Sequence, residues 1–190
     1  MVHKTTTDAD LLERFIATFD RLDDLVCFEG DAPPELLATE RDLDDWNSIG
    51  WRPAKTKTSA SALTAIRRTG PLPELYESLV MSYRWLAVDL GVCRLIANPP
   101  ANDLQPLADS MYSDPVMNNT LLPAGFVRFA LAANECYDPI CFDLSRMVDG
   151  DCPIVRMNHE SILMNDAVGE ITTVSESFRK LVVAVIESVS

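Results

Sequence analysis

A chain of 190 residues is long enough to bury about 70 % of the surface its unfolded form exposes, so a single cored domain needs no disulfide or metal staple. A hydrophobic content of 47 % with 24 % charged residues excludes a disordered chain, and no apolar run reaches the ~18 residues of a membrane span. The formal net charge of −13, with no basic cluster beyond Arg67-Arg68, excludes a surface built to replace nucleic-acid counterions.

Thr7 and Asp10 have the spacing of a capping pair, and Leu11, Leu12, Phe15, Ile16, Phe19, Leu22 and Val26 then recur at helical intervals, which predicts a helix over 8–26. Pro34 suits the first turn of a short helix in "GDAPPELLATERDLDDW". "WNSIGWRPAKTKTSAS", with Gly50, Pro53 and a Ser/Thr/Lys run, reads as a connection between a helical extension over 1–45 and a core over 51–188. "SASALTAIRRTG" predicts a helix with Arg67-Arg68 in its last turn and Gly70 at its end. After Pro71-Leu72-Pro73, "PELYESLVMSYRWLAVDL" reads as one further helix with Leu75, Leu79, Ser82 and Leu86 on a stripe. "GVCRLIA" has strand composition, and "NPPANDLQPLADSMYSDPVMNNTLLPAG" predicts a short helix between two loops.

From Phe126 the pattern changes to "FVRFALA", "PICFDLS" and "PIVRMN", short strands whose brief links predict antiparallel neighbours. "VSESFRKLVVAVIESV" is rich in β-branched residues, but the positions of Phe178, Leu181, Val182, Val185 and Ile186 favour a helix, with Ser175 as its cap. Helices first, then strands, then a closing helix predict a single α+β domain.

The cysteines and histidines carry little chemistry by spacing. Cys136, Cys141, Cys152 and His159 form C-x4-C-x10-C-x6-H, which departs from the close cysteine pairs of zinc knuckles, and Cys141 falls inside a strand as a small buried hydrophobe. No metal and no cofactor are expected. Five cysteines without regular spacing do not make a disulfide framework, and acids interrupt the first residues where a secretory signal would be apolar. Both observations predict a cytoplasmic protein. His159 with Glu160, or with Asp143, is the one candidate acid–base pair, yet neither a G-x-S-x-G elbow nor a phosphate-cradling loop accompanies it. His159 therefore reads as a loop histidine, Asp138 as a turn residue before Pro139, and Asp143 as a residue on the outer face of its strand. A non-enzyme is expected.

The acidity is uneven, since residues 1–50 hold 13 acids and 4 bases. Asp20, Asp23, Asp24, Asp42, Asp44 and Asp45 concentrate negative charge and are the candidate partner-binding residues for a basic protein.

Taken in order, "LPELYESLVMSY", "LLPAGFVRFA", "YDPICFDLS", "CPIVRMNHE" and "VSESFRKLVVAVIE" resemble the SUKH superfamily, a group that includes fungal cell-wall-synthesis regulators and bacterial immunity proteins. The matching positions are Leu72, Pro73 and Tyr76; Leu122, Pro123, Gly125, Phe126, Phe129 and Ala130; Tyr137, Asp138, Ile140, Cys141, Phe142 and Asp143; Pro153, Val155, His159 and Glu160; and Ser177 with Phe178. The resemblance runs from about Trp51 to Ile186. It departs after the Leu-Pro helix, where "SYRWLAVDLGV" stands in place of an Asn-Gly turn. It implies a twisted sheet flanked by helices, no catalytic centre, and a protein partner, often a toxin and frequently a nuclease. A housekeeping scaffold for an endogenous protein is the alternative role, and a small enzyme using His159 and Glu160 the rival class.

Overall fold

The computed structural model describes residues 7–22, 25–28, 33–37, 48–133 and 137–189. α1 (Asp8–Phe19) begins with the expected capping box: the Asp10 amide donates to Thr7 Oγ1 and the Thr7 amide to the Asp10 carboxylate. The helix stops at Phe19, short of residue 26, because the following backbone is taken by strand pairing. β1 (Val26–Phe28) runs antiparallel to β2 (Ser48–Gly50), and the Trp51 amide donates to the Leu25 carbonyl. Pro34 does open a short turn, a 3-10 helix over Pro34–Leu36.

The stretch expected to be a plain connection thus holds β2 and also β3 (Ala54–Lys55). Beyond it, Ala60–Ala65 is a 3-10 helix capped by Ser59, and Arg67 serves no helix end. Its guanidinium instead grips the buried Glu77 in a bidentate pair, while Glu77 also accepts from the Leu72 amide.

α2 (Glu74–Ser82) is half the length its apolar stripe suggests. Arg84 and Asn98, both buried, donate to the Val80 carbonyl at 2.6 and 3.0 Å and close the helix end. The chain then enters β4 (Tyr83–Arg84), which pairs with β3, followed by β5 (Val88–Asp89) and β6 (Cys93–Leu95). Two helices stand where one was expected, α3 (Gln105–Met111) and α4 (Pro115–Leu121). Arg128 closes the first on the Ser110 and Met111 carbonyls, and Asp114 caps the second through the Val116 and Met117 amides.

The remaining elements are β7 (Phe126–Ala132), β8 (Pro139–Asp143), β9 (Ile154–Met157), α5 (His159–Asn165), β10 (Ile171–Ser175) and α6 (Phe178–Ser188). α5 and β10 were not expected, and Ser177 rather than Ser175 caps α6. The main sheet is a fully antiparallel six-stranded meander ordered β10-β9-β8-β7-β6-β5. The fold is α+β.

Helices cover both sheet faces. On one, Val127, Phe129, Phe142 and Ile154 meet α1, α2, α3 and α6 in the main core. At its centre Tyr76, Phe129, Phe142 and Phe178 form one aromatic cluster, with Phe129 stacked on Phe142 at 4.1 Å and edge contacts elsewhere. Leu11, Leu12, Phe15 and Phe19 of α1 belong to this same core, and Asp8 pairs with Arg179 on α6. On the other face Phe126, Cys141, Val155 and Met157 pack under Met117 and Leu121 of α4 and Ile162 of α5. Because both faces of β8 are covered, every residue from Pro139 to Asp143 is buried. The expectation of Asp143 on an outer face is therefore corrected, and its carboxylate accepts from Ser145 and Arg146.

Candidate functional site

The densest polar arrangement around the candidate residues forms where β8, β9 and α5 meet. Asp138, placed by Pro139 at the head of β8, is buried rather than lying on a surface turn. Arg156 lies opposite Ile140 on β9, and His159 is the first residue of α5, whose cap Asn158 accepts from the Ser161 amide. One Asp138 oxygen accepts from Arg156 Nε and Nη2 at 2.8 and 2.5 Å. The other accepts from the His159 amide at 2.9 Å and faces His159 Nδ1 at 2.7 Å. An ionised carboxylate can only accept, so His159 Nδ1 is the donor in this contact. The exposed ring of Tyr137 stands edge-on to the imidazole, 6.0 Å between centroids.

The structure thus gives His159 a carboxylate partner, but not either of the two expected. Glu160 is exposed in the first turn of α5, and Asp143 is engaged with Ser145 and Arg146. Asp138 joins three elements through both its oxygens, which makes it a clamp on the start of α5. An acceptor for the first helical amide is what a helix N-terminus requires, and Arg156 balances the buried carboxylate that supplies it. Spacing could not reveal this pair, because residues 138 and 159 are joined through β9; the signal present in the sequence was Asn158 as a helix cap directly before His159.

The thiols are not assembled. Cys141 lies in the core under α4 and α5, Cys152 in the main core on the opposite face, and Cys136 is outside the described residues. Among the described residues no group of three or more His, Cys, Asp or Glu side chains is arranged to hold a metal. Burial pushes the Cys93 and Cys152 thiols up to about 12 and Cys141 higher still, so each is protonated at neutral pH and a poor nucleophile.

Of the candidate partner-binding acids, Asp20 caps the end of α1, exposed, with Arg52 Nε at 3.7 Å. Asp23, Asp24, Asp42, Asp44 and Asp45 lie outside the described residues. No helix among the described residues is long and apolar enough to cross a membrane. No protein-family model and no curated protein matches the chain.

Proposed function

We propose that the chain is a non-enzymatic, cytoplasmic protein-binding module of the immunity type, which binds a basic toxin, a nuclease in the favoured case, and blocks its active surface. The observation that carries this reading is the use to which the Asp138–His159 pair is put: both carboxylate oxygens hold Arg156 and the first turn of α5, so the one His–carboxylate contact among the described residues serves the architecture. The net charge of −13 supplies the other half, because an acidic protein gains encounter rate with a basic partner. Asp20, Asp23, Asp24, Asp42, Asp44 and Asp45 are the residues proposed to steer that encounter, and the resemblance to SUKH immunity proteins supplies the class of partner. Affinity purification of the full chain from its native cell, with identification of the bound protein and a growth assay on co-expression, tests the proposal. Recovery of a basic, growth-inhibiting protein that the chain neutralises is the expected result. Recovery of a harmless endogenous protein instead would assign a scaffold role, and a turnover abolished by His159→Ala would restore the enzyme.

A further inference from the structure

The edge strands β10 and β5 stand at opposite ends of the strand order, yet one apolar groove touches both sides. It has a volume of about 380 Å³ and runs between Val174 and Ser175 of β10, Leu90 and Val92 in the turn between β5 and β6, and Ala184 and Val185 of α6. In a flat sheet with strands ~4.8 Å apart, the outer two of six would lie roughly 24 Å from one another. The sheet is therefore not flat, and α6 floors the space between the β5–β6 turn and the end of β10. What remains between the two edges is a gap floored by α6.

β10 borders that gap with an unused backbone edge. Its ladder to β9 accounts for one side, and among the described residues no strand lies on the other. Ile171, Thr172 and Thr173 are exposed, and the segment Ile171–Ser175 holds neither a charge nor a proline, the usual guards of a sheet edge. On the face that carries α5, Ile171 pairs across from Met157, and Leu163 and Met164 of α5 are exposed as well.

Charge selects the occupant. Glu170 and Glu176 flank the strand, Glu176 being paired with Lys180, and Asp89 and Glu187 adjoin groove residues, against Arg94 and Arg21, which donates to the Val189 carbonyl at the end of α6. A second copy paired antiparallel about Thr173 would set Glu170 opposite Glu176 at both ends, like charges facing like on a chain that carries −13. A strand with basic ends meets the same positions favourably.

We infer that β10 accepts an extended segment of a basic partner protein as an added strand, its alternate apolar side chains entering the groove over α6 and its flanking Lys or Arg residues meeting Glu170 and, in exchange with Lys180, Glu176. Main-chain pairing supplies the affinity in this mode, and the groove supplies the side-chain preference. The inference rests on the proposed protein-binding role and names the surface that performs it.

The probe is a panel of synthetic peptides that alternate Val or Leu with Thr between terminal lysines, each compared with a copy N-methylated at alternate residues. Methylation keeps charge and side chains but removes strand pairing. Binding to the full chain is followed by fluorescence anisotropy at physiological salt. The expected result is at least ~10-fold tighter binding of an unmethylated peptide, with slowed amide exchange over residues 171–175 in the bound state. Ala184→Trp, which fills the groove from an exposed position, should remove that preference; the methylation comparison needs no variant and decides the matter even if this one folds poorly. Equal binding of both peptide forms, no panel member binding by about 1 mM, or a wild-type dimer that Ala184→Trp converts to monomer would each overturn the inference. None of these results bears on whether a toxin co-purifies, so this surface can fail while the proposed function stands.

Discussion

Replacing Asp138 with Asn tests whether the clamp at the head of β8 is structural. The amide retains an oxygen for the His159 backbone N–H, but it turns a donor or a neutral acceptor toward the two Arg156 nitrogens now held at 2.8 and 2.5 Å. Hydrogen bonds to charged groups contribute ~1.5–3 kcal/mol each, which would give an upper figure of ~6 kcal/mol for the pair. The Arg156 side chain is 46 % exposed while that of Asp138 is 6 % exposed, so water recovers much of the guanidinium's solvation and the lower end applies. The expected loss is about 2–3 kcal/mol. With a urea slope of ~2 kcal/mol/M, the unfolding midpoint should fall by roughly 1 M at constant slope. Arg156→Leu in the same background should cost much less than it does in the wild type, because the contact it removes is already weakened. A loss below about 0.5 kcal/mol for Asp138→Asn would refute the argument, and it would return Asp138 and His159 to consideration as a site held ready for chemistry.

The other expected outcomes follow from burial and backbone geometry. Phe15→Ala should cost about 3–4 kcal/mol by calorimetry or denaturant titration, since Phe15 is buried in the main core and leaves a ring-sized cavity; a fragment over 48–190 should accordingly lose cooperative unfolding, and a sharp transition in it would show that α1 is dispensable. Thiols of Cys93, Cys141 and Cys152 should resist a thiol reagent in the native state at pH 8 and react on unfolding. Burial raises Cys93 and Cys152 from the ordinary thiol range to about 12, so the unfolded chain releases these protons first; stability should be undiminished by them below about pH 9 and decline from there to pH 12, less steeply in a Cys93→Ala, Cys152→Ala variant. Gly150→Ala should lower stability by about 1–2 kcal/mol in the same titration, because φ is +76° there and an added Cβ would sit 2.6 Å from the Glu74 carboxyl carbon.

Elements whose signals are local were legible. The capping box of α1, the strand composition of β7 and the 3.6-residue repeat of α6 each depend on near neighbours in sequence, and each appears at its expected place. Helix ends were misjudged where long-range partners decide them. α2 stops at Ser82 because Arg84 and the distant Asn98 take its last carbonyls, and α1 stops at Phe19 because residues 25–28 pair with 48–51. Period alone also misread Asp143: one polar residue in a strand signals an outer face only if that face is open, and α4 with α5 covers it. The four aromatics Tyr76, Phe129, Phe142 and Phe178 come from four of the segments that suggested a family, and they form one buried cluster. Those segments therefore speak about packing, and packing residues are poor guides to a binding surface.

β10 shows the complementary limit. Its run of Ile171, Thr172, Thr173 and Val174 is strand composition that could have been recognised, whereas its position at the sheet edge could not. Edge status belongs to the strand order, and in that order each strand pairs with its predecessor whether a short turn or one or two helices join them. Within a central strand an uncharged ITTVS bounded by Glu170 and Glu176 would be ordinary, since both sides of the backbone would be paired. At the rim, beside a groove that also touches the turn between β5 and β6, the same residues have no strand on their outer side among the described residues and lie between two glutamates. An edge without lysine or proline invites pairing with any chain of suitable pattern, and here the flanking acids narrow that pattern to a basic one.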